Sequence, residues 1–152
     1  MEDLIEAFFN KPKKTYKELW EEENRKRLEL GAFPVPFEYC SVTHMPIETV
    51  KATPERFIIP ECLPACRELW EKGIDTFMVS DFLSQQQNNS TWIELEENKL
   101  SPENLWIVKS FEGRKGVKLW EYHKGCINIE VPFLGQEAQD ALLDLARELK
   151  QQ

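Results

Sequence analysis

Val117-Lys-Leu-Trp-Glu-Tyr-His-Lys-Gly-Cys-Ile-Asn-Ile-Glu-Val131 is two runs of apolar, aromatic and β-branched residues on either side of a short polar break. The runs 117–122 and 126–131 read as strands. His123-Lys-Gly125 reads as the tight turn of a hairpin, with glycine supplying the positive φ such a turn requires. Two strands alone do not make a stable sheet, so this hairpin needs further strands and a layer to bury its apolar side.

The flanking sequence supplies both. On the carboxyl side, Leu134, Ala138, Ala141, Leu142, Leu145 and Leu149 mark the apolar face of a last helix, with Arg147 and Lys150 at its end. On the amino side, Trp92-Ile-Glu-Leu-Glu96 alternates as a half-buried strand with Ile93 and Leu95 inward. Ser101-Pro102-Glu103 is a helix opening, an N-cap followed by proline at the first helical position, although Leu105-Trp-Ile-Val108 would also make a strand. Ile74 to Val79 reads as a strand with apolar residues on both faces, central in its sheet, and the polar stretch from Ser80 to Ser90 as a loop. From Pro60 to Gly73 a helix carries Cys62, Cys66, Leu69 and Trp70 on one side.

The order from Pro60 onward is helix-strand-strand, helix-strand-strand, helix. It predicts a two-layer α+β fold, a mostly antiparallel sheet of about four strands with helices on one face. Residues 32–59 are broken by prolines at 34, 36, 46 and 54 and read as loop with one or two short strands. Ahead of them, Met1 to Phe9 repeats as one helical face. Thr15 and Glu18 form a capping box for a second helix that ends at Gly31. That helix is charged through its middle and is expected to lie on the surface, anchored by Tyr16, Leu19 and Trp20. Residues 1–31 are therefore expected to form an amino-terminal helical arm on an α+β domain of residues 32–152, the whole making one folded unit.

Bulk properties narrow the function. The chain has 152 residues, 41% of them hydrophobic and 30% charged, with a formal charge of −8, an ordinary balance for one globular domain. Such an acidic body repels phosphate backbones and anionic lipid, so neither nucleic acid nor membrane is an expected partner. Lys11-Pro-Lys-Lys14 and Arg114-Lys115 are the only basic clusters. No apolar run is long enough to span a bilayer or serve as a secretory leader, and four cysteines in such a chain read as reduced thiols, which suits a cytoplasmic setting.

The four cysteines and two histidines fall into three close pairs: Cys40 with His44, Cys62 with Cys66, and His123 with Cys126. Zinc takes about four such ligands, so these six form an alternative metal set, with zinc as the alternative cofactor to none. Cys62 and Cys66 are spaced i,i+4 on an apolar helix side, where cysteine behaves as a small hydrophobe, and buried thiols are the plainer explanation. Cys62, in the first turn of its helix, is also the candidate for a nucleophile. Glu94 and Glu96 share a strand face about 7 Å apart; an exposed strand face carrying two glutamates explains them without chemistry.

The expected site lies elsewhere. Trp92 falls opposite Ile93 and Leu95, on the strand face that holds Glu94, and Trp120 with Tyr122 occupies a neighbouring strand. Ser80 and Asp81 lie just past the end of another. Large aromatics beside charges suit a partner or ligand surface. Trp92, Glu94, Trp120, Tyr122, Ser80 and Asp81 are thus the expected binding residues of a small soluble binding or regulatory protein. It would take a protein partner or a small ligand and perform no catalysis. The alternative is a metal-binding domain or a small cysteine-dependent enzyme built on the three pairs.

Overall fold

A computed structural model describes residues 13–41 and 45–152. The expected helix at Met1 to Phe9, and His44, lie outside the described residues. What is described is an α+β fold: seven α-helices and a four-stranded antiparallel sheet. In chain order these are α1 (Tyr16–Leu30), α2 (Ile47–Ala52), α3 (Pro54–Phe57), α4 (Leu63–Glu71), β1 (Met78–Val79), α5 (Phe82–Asn88), β2 (Thr91–Glu96), α6 (Pro102–Ser110), β3 (Lys118–Trp120), β4 (Cys126–Val131) and α7 (Gly135–Glu148). The sheet order is β1-β2-β4-β3.

The hairpin forms as its sequence dictates. β3 and β4 pair antiparallel with Leu119 opposite Ile129, and Gly125 takes φ +81° in the connecting turn. β2 pairs with the other side of β4, Ile93 opposite Ile129 and Leu95 opposite Ile127. Strand alternation then gives the sheet two unlike faces. The first carries Ile93, Leu95, Ile127, Ile129 and Val131, and all are buried. Helix α7 packs against β2, β4 and α4, contributing Ala138, Leu142, Leu145 and Leu149 to the same buried core as Cys62, Cys66 and Leu69 of the α4 region. α7 starts where Gly135, at φ +65°, brings its backbone against the Gly31 carbonyl oxygen; a Cβ there would overlap that oxygen.

Several elements differ from their sequence reading, each for a tertiary reason. The stretch expected as a loop at 80–90 contains α5. Asp81 caps it by accepting from the Ser84 N–H at 2.8 Å, and Phe82 and Gln85 on one side are buried. The strand expected from Ile74 contracts to Met78–Val79 and lies at a sheet edge instead of the centre. Residues before it have other partners: the Ile74 N–H closes α4 on the Leu69 carbonyl, Asp75 pairs with Lys51, and the Thr76 hydroxyl accepts from the Trp70 indole. Leu105–Val108 is helical, because the Ser101 cap at 3.1 Å from the Asn104 N–H commits the chain to α6. Residues 32–59 hold two short helices, α2 and α3, and no strand among those described.

The charged helix α1 is not held as its pattern suggested. Its Thr15 cap and its glycine stop are present, although the Glu18 carboxylate accepts from the Thr15 hydroxyl and not from the Thr15 N–H of a full capping box. Tyr16 and Leu19, however, are largely exposed, and the anchors are Trp20, Asn24 and Arg27. Trp20 Nε1 and Asn24 Nδ2 both donate to the Val35 carbonyl, and the Val35 N–H donates back to Asn24 Oδ1. Arg27 is fully buried, its guanidinium 4.4 Å from the Phe82 ring centre and 5.1 Å from that of Tyr39.

Candidate functional site

The second sheet face follows from the register. Across one row lie Met78, Glu94, Asn128 and Trp120; in the next lie Trp92, Glu130 and Lys118; on the other side lie Glu96 and Cys126. The expected site residues divide over this face. At one end, Trp92, Ser80 and Asp81 serve the junction of β1, α5 and β2. The Trp92 indole donates to Ser84 Oγ at 2.8 Å, the Trp92 N–H to Ser80 Oγ at 3.0 Å, and Asp81 caps α5. Ser80 and Asp81 also line a cleft of about 430 Å³ whose apolar wall includes Val50, Phe57 and Met78. Towards β3, the Trp120 and Tyr122 rings stack at 6.4 Å, both exposed, and Lys118 lies 4.8 Å from the centre of the Trp120 ring.

Glu94 corrects its sequence reading. It is fully buried, not part of an exposed pair with Glu96. One carboxylate oxygen, Oε1, lies 2.6 Å from His123 Nδ1, and the other has no partner. Asn128, directly opposite Glu94 in the register, is also fully buried, and neither its amide oxygen nor its amide nitrogen is paired. Buried polar atoms without partners are uncommon in folded proteins, since each forfeits its hydration. Here three of them sit on two facing residues in the middle of a sheet.

His123 stands between Glu94 and solvent. Its side chain is half exposed, its ring meets Phe77 edge-on at 5.6 Å, and it lines a cavity of about 550 Å³ with Phe77, Glu96, Leu105 and Cys126. A proton on Nδ1 directed to Glu94 leaves Nε2 as the free ring nitrogen. Asn128 went unnoticed in the sequence because a lone asparagine within a strand carries no periodic signal, and His123 was singled out only as an alternative metal ligand. The facing of Asn128 and Glu94 depends on the register of β2 on β4, which the sequence does not display.

The cysteines do not converge. Cys62 and Cys66 are buried in the helical layer, Cys62 immediately preceding α4 rather than in its first turn, with Sγ 3.9 Å from Ser80 Oγ. Burial pushes both thiols well above the ordinary range, and for Cys62 the neighbouring Cys66 and Glu61 charges add to it. Cys126 is on the second sheet face. Its thiol is raised by burial and then by the charges of Glu94, Glu96, Glu97 and Glu121. Cys40 is half buried beside α3, its N–H donating to the Arg56 carbonyl. Among the described residues no three histidine, cysteine or carboxylate side chains form a metal-holding group. Nor is any described helix long and apolar enough to cross a membrane.

The fold and this face define an α+β domain with a polar centre buried in an aromatic sheet surface. Comparison of the chain with protein-family models, with curated proteins and with solved structures finds no match.

Proposed function

We propose that this is a small-ligand-binding protein whose site is the second sheet face, centred on Glu94 and Asn128 and entered past His123. The observation that carries the reading is the group of three unpaired buried polar atoms on Glu94 and Asn128; Glu94 is joined to a cavity large enough for a small molecule through its bond to His123, which lines it. A hydrogen-bonding ligand supplies the partners those atoms lack, and Phe77, Trp92 and Trp120 supply apolar contact area around it. Surrounding carboxylates disfavour anionic ligands. The reading is tested by amide chemical-shift mapping of the 15N-labelled chain against a small-molecule fragment set. Shifts that cluster on residues 92–96, 120–123 and 126–130, and that disappear in Glu94→Gln, support it. Fragments that bind only elsewhere overturn it.

A cysteine-dependent enzyme is favoured by one observation only: Cys126 and His123 line the same cavity, with Glu94 behind the imidazole. The thiol environment argues against it, because burial and four carboxylates oppose the thiolate that such chemistry requires. Cys126 is accordingly expected to react with a water-soluble disulfide reagent at pH 7 more slowly than a free thiol. A rate above that of the free thiol would reinstate the enzyme.

A further inference from the structure

Building on that reading, we infer that the ligand is an unphosphorylated planar heteroaromatic carrying an N–H donor next to an acceptor along one edge, the pattern of a nucleoside, a free nucleobase or a pterin. The unpaired atoms set the pattern. Glu94 Oε2 accepts only, whereas the Asn128 amide offers one donor and one acceptor. Residues directly opposite on antiparallel strands hold their Cβ atoms about 4.5–5.5 Å apart. A carboxylate oxygen and an amide N–H at that spacing are complementary to an edge that donates at one atom and accepts at the next. A simple amine can donate to Glu94 Oε2 and to Asn128 Oδ1 but leaves the Asn128 N–H without an acceptor. An anion meets the carboxylate itself.

The shape and charge of the face point the same way. Trp120 is the next residue after Asn128 in the row, and Trp92 adjoins Glu94 along β2. A flat ring seated on the pair is therefore beside two indoles, against which it stacks. His123 already shows the contact in miniature: a heteroaromatic N–H meets Glu94 Oε1 at 2.6 Å with an aromatic edge alongside. The phosphate group is disfavoured by Glu96, Glu97, Glu121 and Glu130, which lie on or near this face and outnumber Lys118 and Lys124 there. Entry is through His123, which lines the 550 Å³ cavity on one side and bonds Glu94 on the other. The half-exposed imidazole has Glu94 as its one hydrogen-bond partner among the described residues, and it swings outward to uncover the pair.

The test is isothermal titration of the full chain with guanosine, adenosine and biopterin, with guanosine monophosphate and phenethylamine as contrasts. At least one of the three heterocycles is expected to bind, and which one does identifies the source. The phosphorylated form should bind at least tenfold more weakly than its nucleoside. Glu94→Gln and Asn128→Leu should each weaken binding at least tenfold while circular dichroism shows them folded. His123→Ala should bind severalfold more tightly, since no imidazole is displaced. If phenethylamine binds in a Glu94-dependent way and no heterocycle does, the inference falls and the binding site stands. If the heterocycles bind equally well to wild type, Glu94→Gln and Asn128→Leu, they bind elsewhere and the inference falls. If none of the five probes binds, the inference falls, and the fragment mapping above then decides whether the site falls with it.

Discussion

Glu61 is a fully buried carboxylate with no cation beside it among the described residues. One of its oxygens instead accepts from the Gln85 amide at 2.8 Å and from the backbone N–H groups of Gly135 and Phe33 at 3.3 and 3.4 Å. It thereby ties the ends of three segments together: the turn after α1, α5 and the start of α7. Glu61→Gln can keep an oxygen on all three donors and should cost about 1 kcal/mol of charge assistance. Glu61→Ala strands the donors and should cost about 3–5 kcal/mol, by analogy with removing one partner of a buried charged group. Urea midpoints of the two variants measure the difference, and equal losses would show that Glu61 only fills space. The buried thiols give a pH signature as well. A cysteine titrates near 8.5 when unfolded, whereas burial holds Cys66 protonated in the fold well beyond that. The unfolded chain releases protons first, so stability is unaffected below about pH 8.5 and falls as pH rises above it. Cys66→Ala should flatten that fall between pH 8 and 10; an unchanged slope would assign it to other groups. The burial of Cys62 and Cys66 could be read from their spacing between leucine, tryptophan, proline and glycine. The burial of Arg27, Glu61 and Glu94 could not, since charged side chains go inside only when residues distant in sequence receive them.

At the scale of elements, local signals worked where they were strong and failed where a partner overrode them. The hairpin, α7 and the termini of α1 are written in turn glycines, caps and apolar periods. Helix α5 was hidden because its glutamines and asparagines resemble a loop, although Asp81 already offered the cap. β1 was overextended because Ile74 is as apolar as a strand residue while closing the end of α4. α1 shows the same limit, being amphipathic through a cation. The Arg27 guanidinium lies between Phe82 and Tyr39, but Nε and Nη1 have no partners and Glu23, at 3.2 Å, is partly exposed. Desolvation on that scale is not recovered by one surface-facing carboxylate. Arg27→Met should therefore leave stability within about 1 kcal/mol or raise it, because it keeps the packed stem. Arg27→Ala should lower it by about 2–4 kcal/mol through lost packing. Thermal denaturation of both variants separates them, and a methionine variant as weak as the alanine one would make the charge itself the anchor.

Over the whole molecule, the class of fold was legible because element order and hydrophobic alternation fix which side of a sheet must be covered. The site was legible only as a face. Trp92 and Glu94 could be assigned to it by alternation, whereas pairing Glu94 with Asn128 needed the register of β2 on β4, which no local pattern contains. Every described strand, and every described α-helix except α5, contributes to one core, with Trp20 of α1 packed against it. Tryptophan fluorescence and far-ultraviolet circular dichroism should consequently trace one coincident unfolding curve, and an early loss of helical signal alone would mark α1 as separable. The sheet has one more consequence, which lies at its margins. Its outer strands are two and three residues long, and one of them carries Lys118. A strand that short offers a neighbouring molecule only a few open backbone groups, and a lysine there adds charge against approach. The longest strands, β2 and β4, are enclosed between these margins. The native protein at high concentration is thus guarded against zipping sheet to sheet into fibrils, and that hazard returns only when β1 or β3 peels away.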